Sequence, residues 1–122
     1  MYELSVRCDF DAAHFLRGYA GKCENLHGHR FEVITTLKSE ELDEIGISFD
    51  FTILKQILRE ILECLDHTCL NENPPFDVIN PSSENIARTI YQEIQKKLTG
   101  FTVKISSITV YESPDSWVTY TP

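Results

Sequence analysis

Two imidazoles, two residues apart at the head of an alternating run, constrain this chain more than any other feature. His27, His29, Phe31, Val33, Thr35 and Leu37 occupy every second position. Side chains at i and i+2 of a β-strand share a face. The run therefore predicts a strand from about His27 to Lys38 with both imidazoles side by side on its apolar face. Gly28 between them adds no side chain to the opposite face. Two imidazoles aimed one way are the beginning of a metal site.

The segment before this strand supplies a third imidazole. Leu4, Val6, Cys8 and Phe10 share one parity, and Glu3, Ser5, Arg7 and Asp9 the other, the pattern of a half-buried strand. The apolar parity continues through Ala12 to His14. Residues 16–25 carry Gly18 and Gly21 without periodicity and read as a loop. Strand, loop, strand suggests an antiparallel pair that sets His14 opposite the His27/His29 pair. Three histidines suit tetrahedral zinc and leave one position open for water or substrate. Cys23, four residues before His27, has three readings: a fourth ligand that closes a structural site, an inert small residue, or a thiol made reactive by a nearby cation. Spacing leaves the choice open.

Residues 39–46 form an acidic connection. Leu54, Ile57, Leu58, Ile61 and Leu65 then repeat with helical spacing, and Asp50 or Thr52 is placed to cap that helix. It runs out at Leu65-Asp66-His67, followed by a loop with Pro74, Pro75 and Pro81. A second helix starts near Ser82 or Ser83, buries Ile86, Ile90, Ile94 and Leu98, and stops at Gly100. Phe101 to Val110 reads as a strand bent or bulged near Ser106-Ser107. A turn at residues 113–116 leads to a short strand from Trp117 to Thr121. The order β-β-α-α-β-β predicts an α+β fold: a four-stranded antiparallel sheet with two helices on one face, one domain spanning residues 1–122. Open sheet edges invite pairing with another subunit.

Two further residues carry chemistry. His67, at a helix end beside Asp66, suits proton transfer near neutral pH. Glu112 continues the parity of Ile108 and Val110, which puts a carboxylate at the end of an apolar strand face. It can accept two hydrogen bonds from an amino-heterocycle.

Charge narrows the function classes. Nineteen Asp and Glu against 11 Lys and Arg leave a formal charge of −8, which argues against a broad nucleic-acid footprint. No run approaches the ~18 apolar residues of a membrane span. The first residues lack the pattern of a secretory signal, so a cytoplasmic location is expected. Cys8, Cys23, Cys64 and Cys69 then read as thiols or ligands rather than disulfides, and packing suffices for all but Cys23.

Several motifs occur in order along nearly the whole chain. They are Phe10-Asp11-Ala12-Ala13-His14, Cys23 with His27-Gly28-His29, Ser48-Phe49-Asp50-Phe51, Leu65-Asp66-His67-Thr68-Cys69-Leu70-Asn71, Asn80-Pro81-Ser82-Ser83-Glu84-Asn85 and Val110-Tyr111-Glu112. Together they resemble the 6-pyruvoyl-tetrahydropterin synthase family, and within it the bacterial 6-carboxy-tetrahydropterin synthases of queuosine biosynthesis. The resemblance implies the tunnelling fold, in which trimers close a barrel of twelve strands and two trimers stack into a homohexamer. It implies Zn2+ held by His14, His27 and His29. Cys23 would then be the general base, with Asp66 and His67 completing a relay contributed across a subunit interface, and Glu112 would anchor the pterin ring. Arg17, Lys22 and Arg30 are nearby cations available to the substrate's triphosphate.

The implied substrate is 7,8-dihydroneopterin triphosphate. Its triphosphate would be eliminated, and a retro-aldol-type cleavage would release acetaldehyde and leave 6-carboxy-tetrahydropterin. A sibling activity stops before that cleavage, at 6-pyruvoyl-tetrahydropterin. Two other classes compete. One is a non-catalytic zinc-stapled protein with Cys23 as fourth ligand. The other is a small metal-dependent hydrolase, which needs a carboxylate base that no acidic residue is placed by sequence to supply.

Overall fold

The computed structural model describes residues 1–122, the Lys22 side chain excepted. Strands β1 (Tyr2–His14) and β2 (His27–Ser39) form a long antiparallel hairpin. Helix α1 (Phe51–Glu63), a two-residue strand β3 (Thr68–Cys69), helix α2 (Ser83–Lys97), β4 (Lys104–Ser113) and β5 (Ser116–Tyr120) follow. The sheet order is β3-β1-β2-β4-β5. β3 runs parallel to β1, and the other pairings are antiparallel.

The sheet thus has five strands rather than the four expected from sequence. After α1 the chain lies briefly alongside the end of β1, with Thr68 opposite Ala12 and Cys69 opposite Ala13. Two residues are too few to show alternation. β4 also begins at Lys104, later than Phe101. The bend expected near the serines is present: Ser107 pairs with Thr36 and Ile105 with Leu37, so Ser106 is an extra residue without a partner across the ladder.

The predicted parities hold. Leu4, Val6, Cys8, Phe10 and Ala12 of β1 and Phe31, Val33 and Leu37 of β2 are buried beneath α1 and α2. Each helix contributes one face to this core, Leu54, Leu58 and Leu62 from α1 and Ile86, Ile90 and Ile94 from α2. Each such side chain stabilises the fold by about 1.5–3 kcal/mol. Asp50 caps α1 by accepting from the Thr52 N–H at 2.7 Å, and Ser82 caps α2 by accepting from Asn85 at 3.2 Å.

Thr35 departs from this pattern. It is fully buried on the core face, and its hydroxyl has no hydrogen-bond partner among the described residues. A buried hydroxyl without a partner costs about 1–3 kcal/mol. Thr35→Val keeps the shape and removes the polar atom. It is expected to raise unfolding free energy by about 1 kcal/mol, measured by urea denaturation at constant m-value.

Candidate functional site

The β1–β2 register decides where the imidazoles meet. His14 pairs directly with His27, and Ala12 with His29, so three rings share the helix-facing side at one end of the hairpin. Ring centroids are 4.5 Å apart for His14 and His27, 5.2 Å for His14 and His29, and 4.8 Å for His27 and His29. Phe31 floors the group, 5.3 Å from His14 and 5.6 Å from His29, and itself stacks on Phe10 at 4.9 Å.

The outer contacts set which ring nitrogens face inward. His14 Nδ1–H donates to the Pro81 carbonyl at 2.8 Å, and His27 Nδ1–H to the Asn25 carbonyl at 2.7 Å. A carbonyl can only accept, so in each ring Nε2 is the bare nitrogen. The Nε2 atoms of His14 and His29 are buried without a hydrogen-bond partner among the described residues. One donor atom from each histidine and one carboxylate oxygen of Glu112 lie within 4.8 Å of one another. A buried bare Nε2 on His14, a bare Nε2 on His27 fixed by its far edge, and a buried unpartnered nitrogen on His29 fit a metal of zinc's preference.

Glu112 occupies an irregular step of β4, where pairing with β5 shifts between Tyr111 and Ser113. Its Oε2 accepts from Ser83 Oγ at 3.1 Å, and its Oε1 is 3.4 Å from His29 Nε2. Sequence parity puts Glu112 at the strand end; its closeness to the histidines comes from the sheet pairing.

Burial holds the His14 and His29 rings below the usual imidazole pKa, with Glu112 opposing the effect at both. Between the depressed folded values and the unfolded value of about 6.5, the unfolded chain binds protons that the fold refuses. Stability of the metal-free protein is therefore expected to rise with pH through this window and to fall as pH drops below about 6.5. Melting temperatures in chelator between pH 5.5 and 7.5 check this sign.

Cys23 lies in a single 3₁₀ turn, Lys22–Glu24, on the loop that joins the His14 and His27 strand ends. Its carbonyl accepts from the Leu16 N–H at 2.7 Å, and its thiol is half-buried. Its Sγ is not part of the His14, His27, His29 and Glu112 group.

Asp66 and His67 form a second group, with Asp11, on the opposite side of the sheet end. Adjacent residues on a helix do not face one another, yet His67 Nδ1 is 3.0 Å from Asp66 Oδ1. The chain has left α1 here, and His67 adopts a left-handed backbone with φ 58°. The same Asp66 oxygen accepts the Asp11 N–H at 2.8 Å. That contact first, and the imidazole second, hold the Asp66 carboxyl below its usual range.

Two of the three cations considered for a triphosphate, Arg17 and Arg30, are already engaged. Arg17 Nη2 donates to the Phe76 carbonyl at 2.9 Å, and Arg30 forms a two-pronged pair with Asp11 at 3.0 and 3.2 Å. The Lys22 side chain lies outside the described residues. Sequence reasoning missed the residues that shape the site from outside. Asn71 bonds both the N–H and the carbonyl of Phe15, and Asn80 does the same for Arg17. These amides extend β1 beyond His14. Both fall inside the family-like motifs, but nothing in their spacing shows which backbone they hold.

The chain matches the family model described as 6-pyruvoyl tetrahydropterin synthase over residues 3–122. It is 34% identical over 128 residues to the 6-carboxy-5,6,7,8-tetrahydropterin synthase of Bacillus subtilis, covering 99% of this chain and 86% of that protein. It is 36% identical over 114 residues to a putative 6-carboxy-5,6,7,8-tetrahydropterin synthase of Archaeoglobus fulgidus, covering 93% of this chain and 90% of that one. The fold is similar to the solved structure of Caenorhabditis elegans 6-pyruvoyl tetrahydropterin synthase, with TM-score 0.86 at 24% identity over 99% of this chain and 95% of that one.

Proposed function

The chain belongs to the 6-pyruvoyl tetrahydropterin synthase family, and on that premise we propose that it is a zinc-dependent lyase of queuosine biosynthesis. With one molecule of water, it converts 7,8-dihydroneopterin triphosphate to 6-carboxy-5,6,7,8-tetrahydropterin, acetaldehyde and triphosphate. The observation that carries this reading is the convergence of the His14, His27 and His29 donors, two of them buried and unpartnered, on one point. The names of the curated relatives support the carboxy-forming product.

In this reading His14, His27 and His29 hold the zinc ion. Bound zinc would supply positive charge to the substrate's side-chain oxygens. Cys23, on the loop that joins the His14 and His27 strand ends, takes the side-chain proton as thiolate. Asp66 accepts Nδ1–H of His67 at 3.0 Å and so leaves His67 Nε2 free to carry a proton. Because this pair and the histidine group lie on opposite faces within one chain, the relay is completed by a neighbouring copy. The two edge strands β3 and β5 suit closure of three copies into a barrel and stacking of two trimers into a hexamer, an assembly that works in the cytoplasm.

Glu112 anchors the pterin ring, held in place by Ser83. A hydrogen bond to a charged group is worth about 1.5–3 kcal/mol. Glu112→Gln is therefore expected to raise KM by about 10- to 100-fold with zinc content unchanged. Loss of zinc from that variant would instead make Glu112 a ligand.

The deciding experiment incubates zinc-loaded protein with 7,8-dihydroneopterin triphosphate and measures acetaldehyde. Stoichiometric acetaldehyde is expected. A pyruvoyl product without acetaldehyde would assign the sibling activity, and no turnover by the zinc-bound protein would remove both.

A further inference from the structure

Asp11 and Arg30 face each other across the β1–β2 ladder, one register step from the Ala12 and His29 pair and on the sheet face away from the helices. The Asp11 main chain grips both halves of the Asp66–His67 pair. Its N–H donates to Asp66 Oδ1 at 2.8 Å, and its carbonyl accepts from the His67 N–H at 2.6 Å. The Asp11 side chain meets Arg30 instead, at 3.0 and 3.2 Å. One oxygen of each carboxylate and a ring nitrogen of His67 still lie within 4.8 Å of one another. His67 is thus flanked by two carboxylates, of which a guanidinium compensates only one. An open depression of about 580 Å³ exposes Asp11, Arg30 and His67 together.

We propose that Asp11 and Arg30 are positioning residues for His67: the Asp11 backbone sets the direction of its ring, and the Arg30–Asp11 pair sets the charge around it. This rests on the reading of His67 as the proton-transfer group. Two uncompensated carboxylates would favour the imidazolium and make a poor proton acceptor near neutral pH. Arg30 offsets the Asp11 charge and leaves Asp66 as the carboxylate beside the ring without a guanidinium partner. The charged and titratable groups around His67 are Asp11 from β1, His29 and Arg30 from β2, and Asp66 and Cys69 from its own segment.

The charge account predicts opposite signs for the two single variants. Removing Arg30 leaves Asp11 unmatched, whereas neutralising Asp11 leaves Arg30 unmatched. In the zinc-loaded protein, His67 ring titration is followed by NMR, with the signal assigned by its loss in His67→Gln. Arg30→Met is expected to raise the His67 pKa by about half a unit and Asp11→Asn to lower it by about as much. The double variant should return close to the parent, and 1 M salt should shrink both shifts. If the single variants leave the titration unmoved, or move it in the same direction, the inference is overturned. The kcat pH profile is recorded alongside. If the ring titration shifts as expected while the kcat profile stays fixed, the inference stands and the proton-transfer role of His67 falls.

Discussion

Replacing His14 by alanine is expected to lower zinc affinity by at least about 100-fold and to reduce pterin turnover to the assay background. Loss of an outer partner of a metal-bound histidine costs roughly 10- to 100-fold in affinity, and in the proposed reading His14 is itself a ligand. It is 1% exposed, its Nδ1 is held by Pro81, and its Nε2 is buried and free. Metal content by atomic absorption and affinity by chelator competition measure the effect. His14 also packs on Phe31, so a companion variant, His14→Gln, keeps most of the side-chain volume. Wild-type zinc affinity in a folded His14→Gln protein would remove His14 from the ligand set.

Cys23→Ala is expected to behave in the opposite way, keeping one zinc per chain while turnover drops by about 10²- to 10⁴-fold, the range for loss of a general acid or base. The expectation follows from position. The loop ends where His14 and His27 pair, yet Cys23 Sγ does not join the donor group. Zinc content and kcat measured on the same preparation separate the two roles. Loss of zinc on this substitution would restore Cys23 as a fourth ligand and favour a closed structural site.

Period-two and helical patterns make the core legible in the amino-acid sequence. The even positions of β1, the odd positions of β2 and the apolar stripes of both helices each face one way, and a shift of one residue would expose the whole set. The same parity brings His14 to the His27/His29 pair. β3 is invisible to such patterns because a two-residue strand has no period. The Asp66–His67 contact is also hidden, since it needs a left-handed backbone at a non-glycine residue, which no spacing announces. Glu112 is legible as a strand-end carboxylate. Its approach to His29 follows from the β2–β4 register, in which Tyr111 pairs with Glu32, and a register is a property of two strands at once.

The start of α2 reaches two of the strands that build the site. Pro81, just before the cap, orients His14 through its carbonyl, and Ser83, in the first turn, holds Glu112. These contacts come from the two residues that flank Ser82, whose own side chain caps the helix. The site is therefore complete only with α2 seated on the sheet. Its geometry inherits the precision of the Ile86, Ile90 and Ile94 packing beneath it. In the proposed reading, metal affinity is accordingly a gauge of helix docking: loosening the core under α2 is expected to weaken the centre without altering any residue that would touch the ion.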